Sequence, residues 1–148
     1  MTTEPITILL AEDDDGHASL VERNLERAGV LNGILRVRDG HELLECLRTR
    51  GTSHGHALHE AFVILLDINM PRIDGIEALR QIKADPATRR IPVIMLTTTD
   101  DPREIDRCYE LGCNVYVTKP VEQDGFLDAI RRLGLFLQIV QRPRNGLV

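Results

Sequence analysis

Four acidic residues in a row, Glu12-Asp13-Asp14-Asp15, follow directly on an apolar run, and another carboxylate, Asp67, closes the run Phe62-Val63-Ile64-Leu65-Leu66. Thr97 ends a further run, Val93-Ile94-Met95-Leu96, and Lys119 follows Val115-Tyr116-Val117-Thr118. If the runs ending at Ala11 and Asp67 are neighbours, Glu12, Asp13 and Asp67 converge on one small volume. Two like charges ~4 Å apart repel by about 4 kcal/mol at an effective dielectric of about 20. A fold tolerates that only where protons or a cation neutralise the group. A hard divalent ion such as Mg²⁺ suits it, since that ion takes carboxylate and carbonyl oxygens and waters, often beside a phosphate. No His or Cys stands at these run ends, which argues against zinc. Asp67 then has the character of a carboxylate nucleophile, Thr97 offers a hydroxyl donor, and Lys119 a fixed positive charge. Together they suit the oxygens of a transferring phosphoryl group. Taken singly each residue has a plainer reading: acids after a strand are often helix caps, as expected of Asp14 and Asp15. Their joint placement is what points to phosphoryl chemistry.

The elements that must position these residues alternate along the chain. Ile6 to Ala11, bounded by Pro5 and the acids, reads as a strand buried on both faces. Ala18, Val21, Leu25 and Ala28 recur at helical spacing from Asp15, which can cap the helix, to Gly29, which ends it. Leu35-Arg36-Val37 reads as a short strand, Asp39-Gly40 as a turn, and Leu43, Leu44 and Leu47 as one face of a helix. The stretch 50–60 reads as a surface loop in which His54, His56 and His59 are incidental. The strand ending at Asp67 is broken by Met70-Pro71; Asp74-Gly75 reads as a turn before a helix through Ile76, Leu79 and Ile82. Pro92 opens the next strand, where its missing donor does no harm. Ile105, Cys108, Tyr109 and Leu111 mark a helix stopping at Gly112, and a last helix runs from about residue 123 toward residue 142. The order βαβαβαβαβα predicts an α/β domain, a parallel sheet between helices. Ligands of open parallel sheets bind outside the carboxyl ends of the strands, where the chemical residues lie.

With 148 residues the chain is expected to be a single domain, 1–148, its core spanning about 5–134 and an apolar helical extension about 135–148. Lys and Arg total 18 against 23 for Asp and Glu, a net charge of −5, which argues against a nucleic-acid partner. No apolar run approaches the roughly 18–20 residues of a membrane span, and no signal-peptide pattern opens the sequence. Cys46, Cys108 and Cys113 show no metal spacing and are expected to be free thiols in a reducing cytoplasm.

Four ordered motifs carry a resemblance that covers nearly the whole chain. Leu9-Leu10-Ala11-Glu12-Asp13-Asp14, Leu65-Leu66-Asp67-Ile68-Asn69-Met70-Pro71 with Asp74-Gly75, Leu96-Thr97-Thr98, and Tyr116-Val117-Thr118-Lys119-Pro120 resemble the receiver domain of bacterial response regulators. The resemblance implies a flavodoxin-like, doubly wound, five-stranded parallel sheet of order 2-1-3-4-5 with five helices. It implies a stand-alone two-component response regulator, a signalling protein and not an enzyme, whose Asp67 accepts phosphate from a histidine kinase. Asp13 would bind Mg²⁺ directly, Glu12 largely through water, Asn69 through its main-chain carbonyl, and Asp67 would complete the set. Lys119 would pair with the phosphoryl group, and its bond to Pro120 is expected to be cis. Thr97 and Tyr116 match the family's switch pair, a hydroxyl that moves toward the phosphoryl and an aromatic ring that fills the space it leaves. The segments 83–92 and 109–112, with the apolar tail, look most like single-domain regulators partnered with phytochrome-type light-sensing kinases.

Two departures stand out. The spacing from Asp13 to Asp67 exceeds that of a minimal receiver by about ten residues, assigned to the loop 50–60, and Thr98 stands where many receivers carry Ala or Gly. Beyond the expected core, Leu135, Phe136 and Ile139 add apolar side chains on faces that one small domain is not expected to bury. They predict a homodimer through the last helix, against the alternative of a helix end folded back on its own domain. Arg131, Arg132, Arg142 and Arg144 read as helix solvation. No output domain is expected after the receiver. Competing functions are a Mg²⁺-dependent phosphohydrolase, disfavoured because Asn69 stands where a second acid is needed, and a phosphorylation-independent scaffold, disfavoured by the intact Asp67, Thr97 and Lys119. A nucleotide module would need a Gly-rich loop where Glu12 to Asp15 stand.

Overall fold

The structure, a computed structural model, describes residues 6–51, 61–98, 101–120, 122–133 and 139. Five strands, β1 (Thr7–Ala11), β2 (Ile34–Val37), β3 (Phe62–Asp67), β4 (Val93–Thr97) and β5 (Val115–Thr118), alternate with five helices. The helices are α1 (Asp15–Arg27), α2 (Gly40–Gly51), α3 (Gly75–Ala84), α4 (Pro102–Leu111) and α5 (Gln123–Arg132). The strands form one parallel sheet in the order β2-β1-β3-β4-β5, as the sequence pattern and resemblance led us to expect.

Because successive side chains of a strand point to opposite faces, the apolar runs feed two cores at once. Leu9, Ala11, Phe62, Ile64, Leu66, Val93 and Met95 pack against Leu43 and Leu47 of α2, Ala78, Leu79 and Ile82 of α3, and Cys108 of α4. Ile8, Leu10, Val63, Leu65, Ile94 and Leu96 pack on the other face against Ala18, Val21 and Leu25 of α1 and Phe126, Ala129 and Ile130 of α5. The two faces together sandwich β3 so completely that all six of its residues are buried. α4 stops at Gly112, whose φ of 106° lies in the left-handed region that glycine enters without a Cβ clash.

Local corrections concern how helices begin. Both Asp-Gly pairs read as turns are helix starts: the Asp39 carboxylate accepts from the Glu42 N–H at 2.8 Å, and that of Asp74 from the Glu77 N–H at 2.8 Å. Asp14 caps α1 as expected, accepting from the His17 N–H at 2.8 Å, whereas Asp15, also expected to cap, is the first residue of the helix. Arg50 and Gly51 continue α2 and are not loop. The histidines at 54, 56 and 59 lie outside the described residues, as do Leu135 and Phe136. Ile139 is 5% exposed and belongs to the core beneath α1 and α5, so it has little surface to offer a second copy. Among the described residues no helix is long and apolar enough to cross a membrane.

Candidate functional site

Strand register brings the chemical residues to one edge. Ala11 lies opposite Leu66, so the next step along each strand places Glu12 beside Asp67. Asp67 lies opposite Leu96, one residue short of Thr97, and Thr97 lies opposite Thr118, one short of Lys119. The Lys119 N–H donates to the Thr97 carbonyl at 2.7 Å, fixing the start of the β5–α5 connection against β4. The Lys119–Pro120 bond is cis, as expected. α3 bears directly on the base of the site, for the Gly75 N–H donates to the Ile68 carbonyl at 2.8 Å. A Cβ on Gly75 would meet the Asp67 carbonyl oxygen at 2.2 Å, so only glycine lets the helix approach this closely.

Lys119 is the hub of the side-chain network. Its Nζ lies 3.0 Å from Asp67 Oδ1, donates to Glu12 Oε1, and stands 3.1 Å from His17 Nδ1. Burial weakens the Lys119 ammonium, but hydrogen bonds and charges from Glu12 and Asp67 outweigh it and hold its pKa above the usual lysine value. Asp67 moves the other way. Burial pushes its carboxyl up to about 6, with the Glu12 charge adding to the rise and Lys119 opposing it. Ligand oxygens of Glu12, Asp13 and Asp67 all lie within 4.8 Å of one another, Glu12 and Asp67 buried and Asp13 exposed.

The four consecutive acids divide the labour among them. Glu12 faces inward, its second oxygen accepting from the Asp14 N–H at 3.1 Å. Asp13 joins the carboxylate cluster, and Asp14 caps α1. Asp15 turns away to Arg36 and Arg38, each 2.8 Å from its Oδ1, and the Arg36 hydrogen bond and Arg38 charge hold its pKa below the ordinary value. Arg36 also donates from Nε at 3.1 Å and Nη2 at 2.9 Å to the Glu12 carbonyl, tying the β1–α1 connection to β2. Sequence reasoning did not single out Arg36. An Arg inside an otherwise apolar edge strand was the available signal.

Residues 8–131 match the response regulator receiver domain family. The chain belongs to that family. The receiver is 36% identical over 115 residues to the response regulator Rcp1 of Synechocystis sp., covering 78% of this chain and 77% of the relative. Among solved structures it is similar to the bacteriophytochrome response regulator AtBRR, with a TM-score of 0.77 and 36% identity, covering 97% of this chain and 100% of the other. The Mn²⁺-bound form of response regulator Rcp1 gives a TM-score of 0.70 at 33% identity, over 94% of this chain and 99% of that one. The phosphorylated cyanobacterial phytochrome response regulator RcpA gives 0.71 at 34% identity, over 90% and 94%. Receivers are signalling domains of two-component systems, and this one is related to phytochrome response regulators.

In this receiver Glu12, Asp13, Asp67, Thr97 and Lys119 stand at the strand ends where the motifs placed them. The donor set of the acidic cluster is carboxylate oxygen alone, which fits a hard divalent cation of the kind the family takes. Asn69 lies exposed two residues beyond Asp67. Thr97 is fully buried and shares a side-chain hydrogen bond with Tyr116, which packs half-buried against the core beneath α3 and α4. Thr98 is exposed and lines, with His17, Leu20, Val21, Lys119 and Pro120, a cavity of about 160 Å³. On α1, Val21 and Asn24 are buried, while His17 is exposed and Leu20 partly so.

Proposed function

We propose that this receiver is a response regulator switched by phosphorylation of Asp67 by a histidine kinase in the presence of Mg²⁺. The observation that carries the reading is the ammonium of Lys119 placed 3.0 Å from Asp67 Oδ1 beside a cluster of three carboxylates. Three carboxylates against one ammonium leave an excess of negative charge, which would repel a phosphodonor. Asp13, Asp67 and the Asn69 carbonyl, with Glu12 largely through water, would hold a divalent ion, which would supply the positive charge that offsets theirs and that of the incoming phosphoryl group.

A carboxylate oxygen of Asp67 attacks phosphorus while the donor's P–N bond breaks. The electron pair of that bond leaves with the kinase imidazole, and an aspartyl phosphate results. Lys119 stays paired to the new phosphoryl oxygens, and Thr97 gives up Tyr116 to donate to them. Tyr116 then settles into the vacated space, and the surface of β4, α4 and β5 changes with it. The relatives named for phytochromes favour a phytochrome-type kinase as donor. A second copy, met through Leu135 and Phe136, is the proposed partner of the apolar extension, and the reduced cysteines fit a cytoplasmic protein.

Incubation with Mg²⁺ and acetyl phosphate tests the central claim. Intact mass should rise by one phosphoryl group, and the gain should vanish with EDTA or in Asp67→Asn. An unmodified wild-type chain would overturn it. Sedimentation with and without phosphodonor tests the dimer, which a monomer in both conditions would refute.

A further inference from the structure

His17 occupies the first turn of α1, its main-chain N–H held by the Asp14 cap. Its Nδ1 lies 3.1 Å from Lys119 Nζ and 3.8 Å from Glu12 Oε1. An ammonium carries three N–H donors and no lone pair, so whatever approaches it to hydrogen-bond distance must accept. Nδ1 therefore turns its lone pair to Lys119, and the neutral ring carries its proton on Nε2. The three donors of Lys119 are matched by Glu12, Asp67 and His17. Lys119 and Glu12 are all but closed to water, at 7% and 1% side-chain exposure, while His17 is 49% exposed. The ring thus joins the buried ammonium to the cavity of about 160 Å³ that both residues line.

We propose that His17 is a further phosphodonor-binding residue: its Nε2–H donates to a phosphoryl oxygen of the incoming donor while Nδ1 accepts from Lys119. Hydrogen bonds in series polarise one another, so Lys119 strengthens a donor that stands farther out than its own ammonium can reach. The ligand is the dianionic phosphoryl group, whether carried by an acyl phosphate or a phosphoimidazole. His17 forms no bond to phosphorus and moves no proton. It orients the donor for attack by Asp67, and the inference rests on that proposed reaction.

The test is the apparent second-order rate of phosphorylation by acetyl phosphate, read by intact mass on the full chain with saturating Mg²⁺. His17→Phe keeps the bulk of the ring and removes both nitrogens. It should lower the rate about ten- to a hundredfold, the effect of one hydrogen bond to a charged group. His17→Gln can accept from Lys119 through Oε1 and donate through Nε2, and should recover most of the loss. Mg²⁺ affinity by calorimetry, and the rate of phosphate loss once the donor is removed, should match wild type in both variants. A wild-type rate in His17→Phe overturns the proposal. So does a Gln variant as slow as Phe, or a loss of Mg²⁺ affinity equal to the loss of rate. A wild-type chain that takes no phosphate sinks the Asp67 reading instead.

Discussion

Lys119 Nζ stands 3.0 Å from Asp67 Oδ1 with both side chains all but closed to water, at 7% and 5% exposure. Even so, the ammonium does not hold Asp67 in the ordinary carboxylate range. Burial, reinforced by the charge of Glu12, outweighs it and pushes the carboxyl up to about 6. The resting site is thus short of positive charge by design of its neighbours. A cation would relieve that shortage and offset the negative charge of an incoming phosphoryl group, which is why the same few atoms can bind the one and then be modified by the other.

The raised pKa makes Asp67 a liability to the metal-free fold. Its native value of about 6 exceeds the reference 3.8, so the native state holds the proton more tightly than the unfolded chain. Stability associated with that proton is complete below about pH 4 and is lost as pH rises through about 6, on the order of 3 kcal/mol in all. In EDTA at pH 7.5, Asp67→Asn should therefore be more stable than wild type, by about 1–2 kcal/mol once the lost pairing with Lys119 is counted. Urea denaturation at several pH values checks this. The advantage should shrink below pH 6 and be gone near pH 4, whereas one independent of pH would point to another cause.

Mg²⁺ must displace the same proton. Above pH 7 Asp67 is ionised and competition is absent; one unit below its pKa of about 6 only about a tenth of the carboxylate is free. Calorimetric titration should show affinity falling about tenfold between pH 7.5 and pH 5, with protons released to buffer at the lower pH. A flat profile would mean that Asp67 does not ligate the ion.

Arg36 should govern the metal from a distance. Its fork holds the Glu12 carbonyl at 3.1 and 2.9 Å and Asp15 at 2.8 Å, so it sets where the β1–α1 connection presents Asp13. Arg36→Ala should weaken Mg²⁺ binding about three- to tenfold, only part of the worth of its charge-assisted hydrogen bonds, because it reaches the ion solely through where it holds Asp13. Phosphorylation should slow at low Mg²⁺ and recover at high Mg²⁺. Arg36→Lys should restore little, because a point charge lacks the fork. Unchanged Mg²⁺ affinity in Arg36→Ala would reduce the clamp to a strand contact.

What could be read from sequence follows from how far each signal reaches. The strand ends at Asp67, Thr97 and Lys119 were legible because continuous apolar runs mark buried parallel strands, and because that fold gathers function at their carboxyl ends. Helix starts were less so: Asp39-Gly40 and Asp74-Gly75 have the composition of a turn, and only the surrounding fold makes the aspartate a cap. Of the acids Glu12 to Asp15, the pair toward the metal and the Asp14 cap were legible. The turn of Asp15 to Arg36 and Arg38 and the pairing of Glu12 with Lys119 were not, since they depend on partners far along the chain. Arg36 lies 24 residues from the Glu12 carbonyl it holds, and Lys119 lies 102 residues from His17. Tyr109 shows the opposite error: it shares the helical spacing of Cys108 and Leu111, yet it is 46% exposed while Cys108 is buried.

Thr98 offers the last and most direct test of the site. It follows the fully buried Thr97, is itself exposed, and stands in the wall of the cavity that His17 and Lys119 also line. Water reaching an aspartyl phosphate from that side would pass the Thr98 side chain, and two methyl-sized groups more than alanine's narrow the way. Thr98→Ala should shorten the phosphate's half-life about threefold, the effect of ~0.7 kcal/mol on the hydrolytic barrier. Thr98→Val keeps the shape without the hydroxyl and should behave as wild type, which separates bulk from hydrogen bonding. Radiolabel retention, or intact mass followed over time after removal of acetyl phosphate, gives both numbers. An alanine variant that holds its phosphate as long as wild type would show that this side chain does not screen the site.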